Sequence, residues 1–202
     1  MTTTIYLVRH GRTALNAQGR FRGRENSPLD GPGLREAAEV ARALVDVGLR
    51  TVYSSPLLRC VQTAEFIARA ASVPVVPEPD LVDADLGRWE GVTPDEAEKR
   101  DPETYALFQR RPQLARAPEG EAIADVEDRE FEALRRIARR HEGAAVAAVT
   151  HEIPIRLVIA RLKRIEGSGF WDFDLPTGSI TQLRYWGGAL SLATDASAKV
   201  TR

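Results

Sequence analysis

The chain has 202 residues, of which 28 are lysine or arginine, 29 are aspartate or glutamate and 43% are hydrophobic. This composition is typical of a soluble globular protein, long enough for one full-sized domain and too short for two large ones. A formal net charge of −1 excludes the global positive field that would hold nucleic acid or an anionic membrane. Any anion site must therefore be local.

The cysteine content and the N-terminal segment predict a cytoplasmic protein. Cys60 is the only cysteine, so an internal disulfide and a zinc cluster of cysteines are excluded. Residues 1–6 lack a basic segment and a long apolar run, and no stretch approaches the roughly 18 apolar residues of a membrane span. We expect no nucleic-acid or membrane partner, and a homodimer is the commonest assembly for such a chain.

Short apolar segments alternate with helical patterns along the chain. Strands are predicted at residues 5–8, 51–54, 73–76 and 144–150, and the intervening helices at 34–45, 56–68, 123–141 and 155–162. At the start of the second helix, Ser55 suits the N-cap and Pro56 suits the first helical position. Residues 180–186 and 189–193 predict a hairpin around Gly187-Gly188.

This order of elements predicts an α/β fold with three layers, α/β/α, in which a mostly parallel sheet ends in an antiparallel edge hairpin. Two helix-start signatures, Thr93-Pro94-Asp95-Glu96 and Asp101-Pro102, predict a short helical insertion at about residues 92–121. We treat residues 1–202 as a single domain, with a flexible tail at about 195–202.

Polar residues follow three of the predicted strands, at the edge where an open parallel sheet binds its ligands. Arg9 and His10 follow the first strand, Arg59 lies just beyond the second, and His151 follows a later one. Two histidines and two arginines at one edge would form a cationic cup, to which the helix starting near Ser55 adds unpaired N–H groups. This grouping favours phosphoryl chemistry over acyl transfer, and the sequence has no Gly-x-Ser-x-Gly elbow.

Four motifs contain these residues in a fixed order. They are Leu7-Val8-Arg9-His10-Gly11-Arg12-Thr13 with Asn16, Tyr53-Ser54-Ser55-Pro56-Leu57-Leu58-Arg59 with Gln62-Thr63-Ala64, Gly87-Arg88-Trp89-Glu90-Gly91, and Val149-Thr150-His151. Together they resemble the histidine phosphatase superfamily, in its phosphoglycerate mutase-like branch. The resemblance covers roughly residues 5–186, and it is the combination of four motifs that makes it specific.

The resemblance implies a metal-independent phosphatase that needs no cofactor. His10 would be the nucleophile that takes the phosphoryl group on one ring nitrogen, while a backbone carbonyl fixes the other nitrogen. Arg9, Arg59 and His151, the last as imidazolium, would clamp the phosphoryl oxygens. No metal ion is implied, because these protein cations already neutralise the phosphate.

The resemblance also assigns residues around the phosphate. Asn16 would donate a hydrogen bond to the phosphoryl group, and Arg22 and Gly23 would line the mouth of the substrate site. Glu152 stands where relatives commonly have Gly, and we count it among the residues that bind substrate. Its carboxylate could hold His151 protonated, serve as a substitute acid or point to solvent, and these three readings stay open.

The general acid departs from the family pattern. Relatives usually carry Glu in a Leu-x-Glu step before the Gly-x-Trp-Glu-Gly segment, and the step here is Leu81-Val82-Asp83. Asp83 is therefore the predicted acid, although its side chain is one methylene shorter than that of Glu. Asp85 and Glu152 are the alternatives.

The segment after the first strand is rich in positive charge. Five arginines fall within sixteen residues and are offset by one carboxylate: Arg9, Arg12, Arg20, Arg22 and Arg24, with Glu25. Arg12 stands where Glu or Gln is more usual in relatives. The segment is either a solvated loop or a binding surface for a substrate with a second anionic group; for Arg20 and Arg24 we favour the solvated loop.

Three functions fit the resemblance. The predicted function is a phosphomonoester hydrolase for a small phosphorylated metabolite, because the insertion at about 92–121 is short and water should reach the phosphohistidine. The alternatives are a phosphoglycerate mutase-type phosphoryl transferase and a catalytically weak module that binds a phosphorylated ligand. The sequence does not select the substrate, since loops read the leaving group.

Overall fold

A computed structural model describes residues 1–193, so the tail predicted at about 195–202 lies outside the described residues. The strands are Thr3–Arg9 (β1), Leu49–Ser54 (β2), Val75–Pro77 (β3), Ala145–Thr150 (β4), Ile180–Trp186 (β5) and Ala189–Leu192 (β6). The helices are Ala14–Ala17 (α1), Gly31–Leu44 (α2), Leu58–Ala71 (α3), Pro94–Arg100 (α4), Pro102–Arg110 (α5), Ile123–Arg140 (α6) and Glu152–Lys163 (α7). Across residues 1–193, no helix is both long enough and apolar enough to cross a membrane.

The six strands form one sheet in the order β3-β2-β4-β1-β5-β6. The pairs β2–β3, β2–β4 and β1–β4 are parallel, whereas β1–β5 and β5–β6 are antiparallel. The predicted parallel sheet with an antiparallel edge hairpin is therefore confirmed. Because β1, β2 and β4 are parallel neighbours, the residues that follow them meet at one edge of the sheet.

Helices cover both faces of the sheet, which confirms the three-layer prediction. Along β1, Ile5 and Leu7 face a cluster that contains Leu134 of α6 and Val158 of α7. Val8 faces the opposite cluster, which includes residues of α2 and α3. Strands buried on both faces read as continuous apolar runs, and this explains why residues 5–8 were recognisable as a strand.

The start of α3 differs from its prediction. The helix begins at Leu58 instead of Pro56, its N-cap is Leu57, and the Leu58 N–H donates to Asn26 Oδ1 from outside the segment at 2.7 Å. Ser55 instead continues the line of β2, because its N–H donates to the carbonyl of Val149 at 3.0 Å. This extension across the sheet edge delays the helix by two residues and leaves the Ser55 hydroxyl for another partner.

The predicted insertion contains α4 and α5, as its helix-start signatures indicated. Thr93 caps α4 through a reciprocal capping box with Glu96. Asp101 does not cap α5 with its side chain, which instead accepts a hydrogen bond from Trp89 Nε1 at 3.0 Å. Trp89 is fully buried with Phe108 in a separate apolar cluster. The insertion thus packs against the third motif.

One carboxyl group lies in the core beneath the sheet edge. Glu130 on α6 is fully buried, and its Oε2 lies 3.5 Å from Thr150 Oγ1. The Thr150 hydroxyl donates its single proton to the carbonyl of Leu81 at 2.8 Å, so the Glu130 carboxyl must supply the proton of their contact. Burial, only partly opposed by Arg129, raises the pKa of Glu130 to about 8.

A protonated Glu130 makes the stability of the fold depend on pH. The unfolded chain releases this proton near the ordinary Glu value of 4.5, so its stabilising contribution is lost as pH rises from there to about 8. We expect Glu130→Gln, which donates without ionising, to gain stability relative to the wild type between pH 5 and pH 8. The gain should reach several kcal/mol, because one unit of pKa difference corresponds to about 1.4 kcal/mol. Urea unfolding at both pH values measures it.

Glu132→Gln is the matched control, because Glu132 lies on the same helix with about half of its side chain exposed. Its stability difference from the wild type should stay constant over this range. A Glu130→Gln difference that is equally constant would show that Glu130 is ionised in the folded protein.

Candidate active site

The ends of β1, β2 and β4 bring three predicted site residues into direct contact. The Nε of Arg59 lies 3.2 Å from His10 Nε2 and 3.2 Å from His151 Nδ1. The two imidazole rings are 5.2 Å apart between centroids, and all three residues are fully buried. Three of the four residues of the predicted cup therefore meet, with Arg59 between the two histidines.

His10 is held in one tautomer by the backbone. Its Nδ1 lies 2.7 Å from the carbonyl oxygen of Gly11, which can only accept, so Nδ1 carries the proton and Nε2 keeps a lone pair. Burial and then the charge of Arg59 lower the pKa of His10 well below its ordinary value. Gly11 is required here, because a Cβ would lie 2.5 Å from the carbonyl oxygen of Gly33. A neutral imidazole with an unprotonated Nε2, here an acceptor for the Arg59 N–H, is the form that a nucleophile requires.

His151 has the opposite arrangement. Its Nδ1 faces the Arg59 N–H, which can only donate, and its Nε2 lies 2.8 Å from Ser55 Oγ. In the free site His151 therefore donates from Nε2 to Ser55 and accepts at Nδ1. Burial and Arg59 lower the pKa of His151 well below its ordinary value. The imidazolium predicted from the sequence is thus not the state of the free site; it requires the negative charge of a bound substrate.

Arg59 is oriented by backbone carbonyls of the arginine-rich segment. Its Nη1 donates to the carbonyl of Glu25 at 2.6 Å, and its Nη2 donates to that of Gly23 at 2.7 Å. Gly23 adopts φ +50°, and a Cβ at this position would lie 2.0 Å from Glu90 Oε1. The contact described for Gly23 is thus the hydrogen bond from its carbonyl to Arg59, the arginine that lies between the two histidines.

Asp83 lies in the same buried group. Its Oδ2 is 3.2 Å from Arg59 Nη2 and 3.6 Å from His151 Nδ1. Burial raises the pKa of Asp83, and the charges of Arg59 and Arg22 offset this only in part. A carboxyl whose pKa is raised can carry a proton to a leaving oxygen.

The loop that carries Asp83 is fixed by a residue that the sequence did not single out. Arg129 on α6 donates to the carbonyls of Asp80 at 2.7 Å, Val82 at 2.6 Å and Asp83 at 3.0 Å. The alternative acid, Asp85, is partly exposed, lies 3.7 Å from Arg24 and accepts from the N–H of Gly87. The contacts described for Asp85 therefore include neither His10 nor His151.

The environment of Glu152 differs from the three roles that its sequence position suggested. Its Oε2 lies 2.7 Å from Arg9 Nη2 and 3.1 Å from Arg22 Nη2, and its Oε1 lies 3.1 Å from two nitrogens of Arg156. Burial would raise the pKa of Glu152, but the three arginines outweigh it and hold that pKa below its ordinary value. Among the contacts of the described residues, this carboxylate faces guanidinium groups instead of His151 or open solvent, and its lowered pKa opposes a role as acid.

The remaining arginines of the segment each pair with a carboxylate, and the partner of Arg24 also pairs with Arg129. The pairs and their N–O distances are Arg12 with Asp30 at 2.9 Å, Arg20 with Glu96 at 3.2 Å and Arg24 with Glu121 at 3.0 Å. All three side chains are partly exposed, as the solvated-loop reading predicted for Arg20 and Arg24. Arg22 differs, because it is mostly buried and shares Glu152 with two other arginines.

Asn16 lies on the short helix α1, in the segment that follows His10. Its side-chain oxygen accepts from the backbone N–H of Thr13 at 3.0 Å and from the Thr13 hydroxyl at 2.9 Å. The amide is thereby oriented so that its NH2 group is the end left for another acceptor. The hydrogen bonds described for Asn16 do not include His10 or Arg59, so its contact with a phosphoryl group stays a prediction.

Four residues that support the site were missed or misread in the sequence: Ser55, Thr63, Arg129 and Arg156. Ser55 and Thr63 lie within the second motif, so their presence was visible but their partners were not. Thr63 Oγ1 accepts from the Gly11 N–H at 3.1 Å. Arg129 and Arg156 lie on helices, where an arginine ordinarily indicates a solvated face. Within residues 1–193, no group of three or more His, Cys, Asp or Glu side chains could hold a metal ion.

The arrangement suits the transfer of a phosphoryl group. A lone pair on His10 Nε2, a protonable Asp83 and the guanidinium group of Arg59 converge on one buried point, and the charge of Arg9 also acts on His10. Nucleophile, proton donor and charge stabilisers are the three components that this reaction needs from a protein.

Comparisons with known proteins agree with this geometry. A model of the histidine phosphatase superfamily (branch 1) matches residues 5–195. A metal-independent phosphoserine phosphatase of Arabidopsis thaliana is 36% identical over 170 residues, which cover 83% of this chain and 71% of that protein. The bifunctional protein Rv2228c of Mycobacterium tuberculosis is 39% identical over 194 residues, which cover 94% of this chain. The chain spans about half the length of that relative, 52%.

A solved structure extends the similarity to the whole fold. YhfR of Bacillus stearothermophilus superposes with a TM-score of 0.90 at 32% identity, over 98% of each chain. With four motifs, a confirmed fold and a family match over nearly its whole length, the chain belongs to the histidine phosphatase superfamily, branch 1.

Proposed function

We propose that this chain is a metal-independent phosphomonoester hydrolase that acts through a phosphohistidine intermediate on His10, and that its substrate is a small phosphorylated metabolite. The observation that carries this proposal is the neutral, fixed tautomer of His10, whose unprotonated Nε2 accepts from the Arg59 Nε–H at 3.2 Å. A module that only binds phosphate has no need for a lone pair aimed at the phosphate clamp.

The proposed reaction has two steps. His10 Nε2 attacks phosphorus, so that a P–N bond forms while the P–O bond to the leaving group breaks, and Asp83 gives its proton to the leaving oxygen. A water molecule then attacks the phosphohistidine, the P–N bond breaks, and the Asp83 carboxylate accepts the proton of the water. Inorganic phosphate leaves, and His10 regains its lone pair.

Protein cations supply the charge that this reaction needs. Arg9 and Arg59 would bind the phosphoryl oxygens, and the dianion would raise the proton affinity of His151 until it donates from Nδ1 as well. Fixed charges of this kind stabilise the transition state without reorganisation. The name of the Arabidopsis relative, a metal-independent phosphatase, supports the absence of a metal requirement.

Location and assembly belong to the same proposal. We place the chain in a reducing, cytoplasmic compartment, because its single cysteine, Cys60, cannot form an internal disulfide. That the chain forms a homodimer stays a prediction.

The first test is the covalent intermediate. With EDTA present, the wild type should release inorganic phosphate steadily from an aryl phosphate and form an acid-labile, base-stable phosphoenzyme. His10→Ala should lose both the phosphoenzyme and roughly 10³-fold or more of the activity, with an unchanged circular dichroism spectrum. Exchange between phosphoglycerate isomers without hydrolysis would identify a mutase, and activity that only a divalent ion restores would refute metal independence.

The second test concerns the acid. Asp83→Asn should lower kcat/KM, which reports the phosphorylation of His10, by about 10²- to 10⁴-fold on an alkyl phosphate but far less on p-nitrophenyl phosphate, whose leaving group needs no proton. Since protonated Asp83 is the active form, kcat/KM of the wild type should fall as pH rises through its raised pKa. Asp85→Asn is the control, with an unchanged ratio between the two substrates. Equal losses of Asp83→Asn on both substrates would contradict the assignment.

The third test concerns Ser55, which accepts the hydrogen bond from His151 Nε2. Ser55→Ala should lower kcat/KM on the order of 10- to 100-fold, as expected for a lost hydrogen bond to a charged group, and should move the alkaline limb of the kcat profile, which reports the substrate complex in which His151 is charged, to lower pH. Ser54→Ala is matched, because Ser54 is equally buried but donates to the Ser55 carbonyl. An unshifted pH profile in Ser55→Ala would mean that Ser55 does not support the charge of His151.

A further inference from the structure

We propose that Arg129 and Glu121 are positioning residues for the general acid, because they fix the backbone of the loop from which Asp83 reaches the leaving oxygen. The proposal rests on the hydrolase function above. It adds a pair of residues whose described contacts include neither histidine. It assigns to this pair the control of one event of the first step, the transfer of a proton to the leaving group.

The first argument is the backbone of the acid loop, residues 80–86, which has little secondary structure of its own. The carbonyls of its first four residues all accept hydrogen bonds from side chains. Thr150 Oγ1 donates to that of Leu81 at 2.8 Å, and Arg129 donates to the other three at distances between 2.6 and 3.0 Å. Backbone carbonyls away from water require donors. One guanidinium group thus supplies the hydrogen bonds that a helix or a strand would otherwise supply.

The second argument is that every N–H group of Arg129 is used in this arrangement. Its Nη1 bonds to two carbonyls of the acid loop, its Nη2 bonds to the Asp83 carbonyl and to Glu121 Oε2 at 3.0 Å, and its Nε bonds to Glu121 Oε1 at 2.9 Å. The fork between guanidinium and carboxylate fixes the plane of the guanidinium group. Burial would raise the pKa of Glu121, but the hydrogen bonds and the charge of Arg129 hold that pKa below its ordinary value. The pair therefore stays ionised.

The third argument is the short side chain of Asp83. Its Oδ1 accepts from the N–H of Ala84 at 3.0 Å, so Oδ2 is the oxygen that faces Arg59 Nη2, at 3.2 Å. An aspartate has two side-chain torsions, so it cannot compensate for a shift of its own backbone as well as a longer glutamate could. A displacement of about 1 Å can cost on the order of a hundredfold in rate. The position of the acid therefore depends on the carbonyl contacts of Arg129.

The fourth argument is that the nucleophile and the phosphate clamp are held by other groups. The carbonyls that orient His10 and Arg59 belong to residues 11–25, and none of them is a described partner of Arg129. Loss of the Arg129 guanidinium should therefore displace Asp83 and leave the nucleophile and the clamp in place. A purely structural role would instead lower the activity on every substrate by the same factor.

The test compares two aromatic substrates that differ in their need for a proton, benzyl phosphate and p-nitrophenyl phosphate. Arg129→Met should lower kcat/KM by about 10- to 100-fold on benzyl phosphate, because the acid is displaced, and far less on p-nitrophenyl phosphate. Added to Asp83→Asn, the same change should cost less than about threefold more on benzyl phosphate, because the group that it positions is already lost. Equal losses on the two substrates, or full additivity in the double variant, would overturn the proposal.

Arg136→Met is the matched control, because Arg136 lies on the same helix but contacts the side chains of Glu78 and Asp80 near the start of the loop. It should keep the wild-type ratio between the two substrates. Glu121→Gln is a milder second variant, which replaces one oxygen of the fork by an NH2 group. It should show the pattern of Arg129→Met at a smaller size, and it decides the matter if Arg129→Met does not fold. A wild-type ratio in Glu121→Gln would contradict the role of the pair.

A measurement without turnover separates this proposal from the hydrolase function on which it rests. The Ala84 N–H donates to Asp83 Oδ1, so its hydrogen exchange reports the geometry of the acid, while the ¹⁵N shifts of the His10 ring report the nucleophile. Arg129→Met should speed the exchange at Ala84 by about tenfold or more and leave the His10 shifts unchanged. This result would support the positioning role even if the wild type releases no phosphate from any ester, an outcome that would refute only the hydrolase. Wild-type exchange at Ala84, or altered His10 shifts, would refute the positioning role.

Discussion

A guanidinium group without solvent exposure lies between two imidazole rings, and the rest of the site is organised around it. Burying a charge is costly unless hydrogen bonds and an opposite charge compensate, and Arg59 obtains these from three separate segments. The carbonyls of Gly23 and Glu25 hold one end of the group, Asp83 holds it from the side, and both histidines accept from its Nε. The demands of one buried cation therefore bring together the first strand end, the arginine-rich segment and the acid loop.

The same cation sets the protonation of its neighbours. Burial and the Arg59 charge keep both histidines neutral in the free site, so that His10 retains a lone pair and His151 stays ready to take up a proton. Asp83 experiences the opposite balance, because burial raises its pKa more than Arg59 lowers it. One environment thus lowers the pKa of the base and raises the pKa of the acid, which is the combination that acid–base chemistry near neutral pH requires.

A second layer of contacts keeps this arrangement rigid. Arg129 donates to three carbonyls of the acid loop, those of Asp80, Val82 and Asp83. Arg156 joins Glu152 to the carbonyls of Phe170 and Phe173. Glu130 contacts the end of β4 through the hydroxyl group of Thr150. Preorganisation of this kind places charges before the substrate arrives, and their reorganisation then costs nothing during the reaction. Glu152 partly neutralises Arg9 and Arg22, which lowers the cost of holding several guanidinium groups together in the free site.

The sequence by itself determined the fold class, the strand ends at which the chemistry lies and the identity of the two histidines with Arg9 and Arg59. These features are local: apolar runs covered on both faces form strands, and polar residues directly after parallel strands meet at one edge. Only the tertiary structure decided which groups the side chains around the site contact. It assigned Ser55 to His151 instead of a helix cap and turned Glu152 towards three arginines.

It also separated Arg22 from the solvated arginines of its segment. These contacts join groups that are far apart in the chain, and the burial of each group sets its pKa. Neither the contacts nor the burial can be derived from the spacing of residues in the sequence.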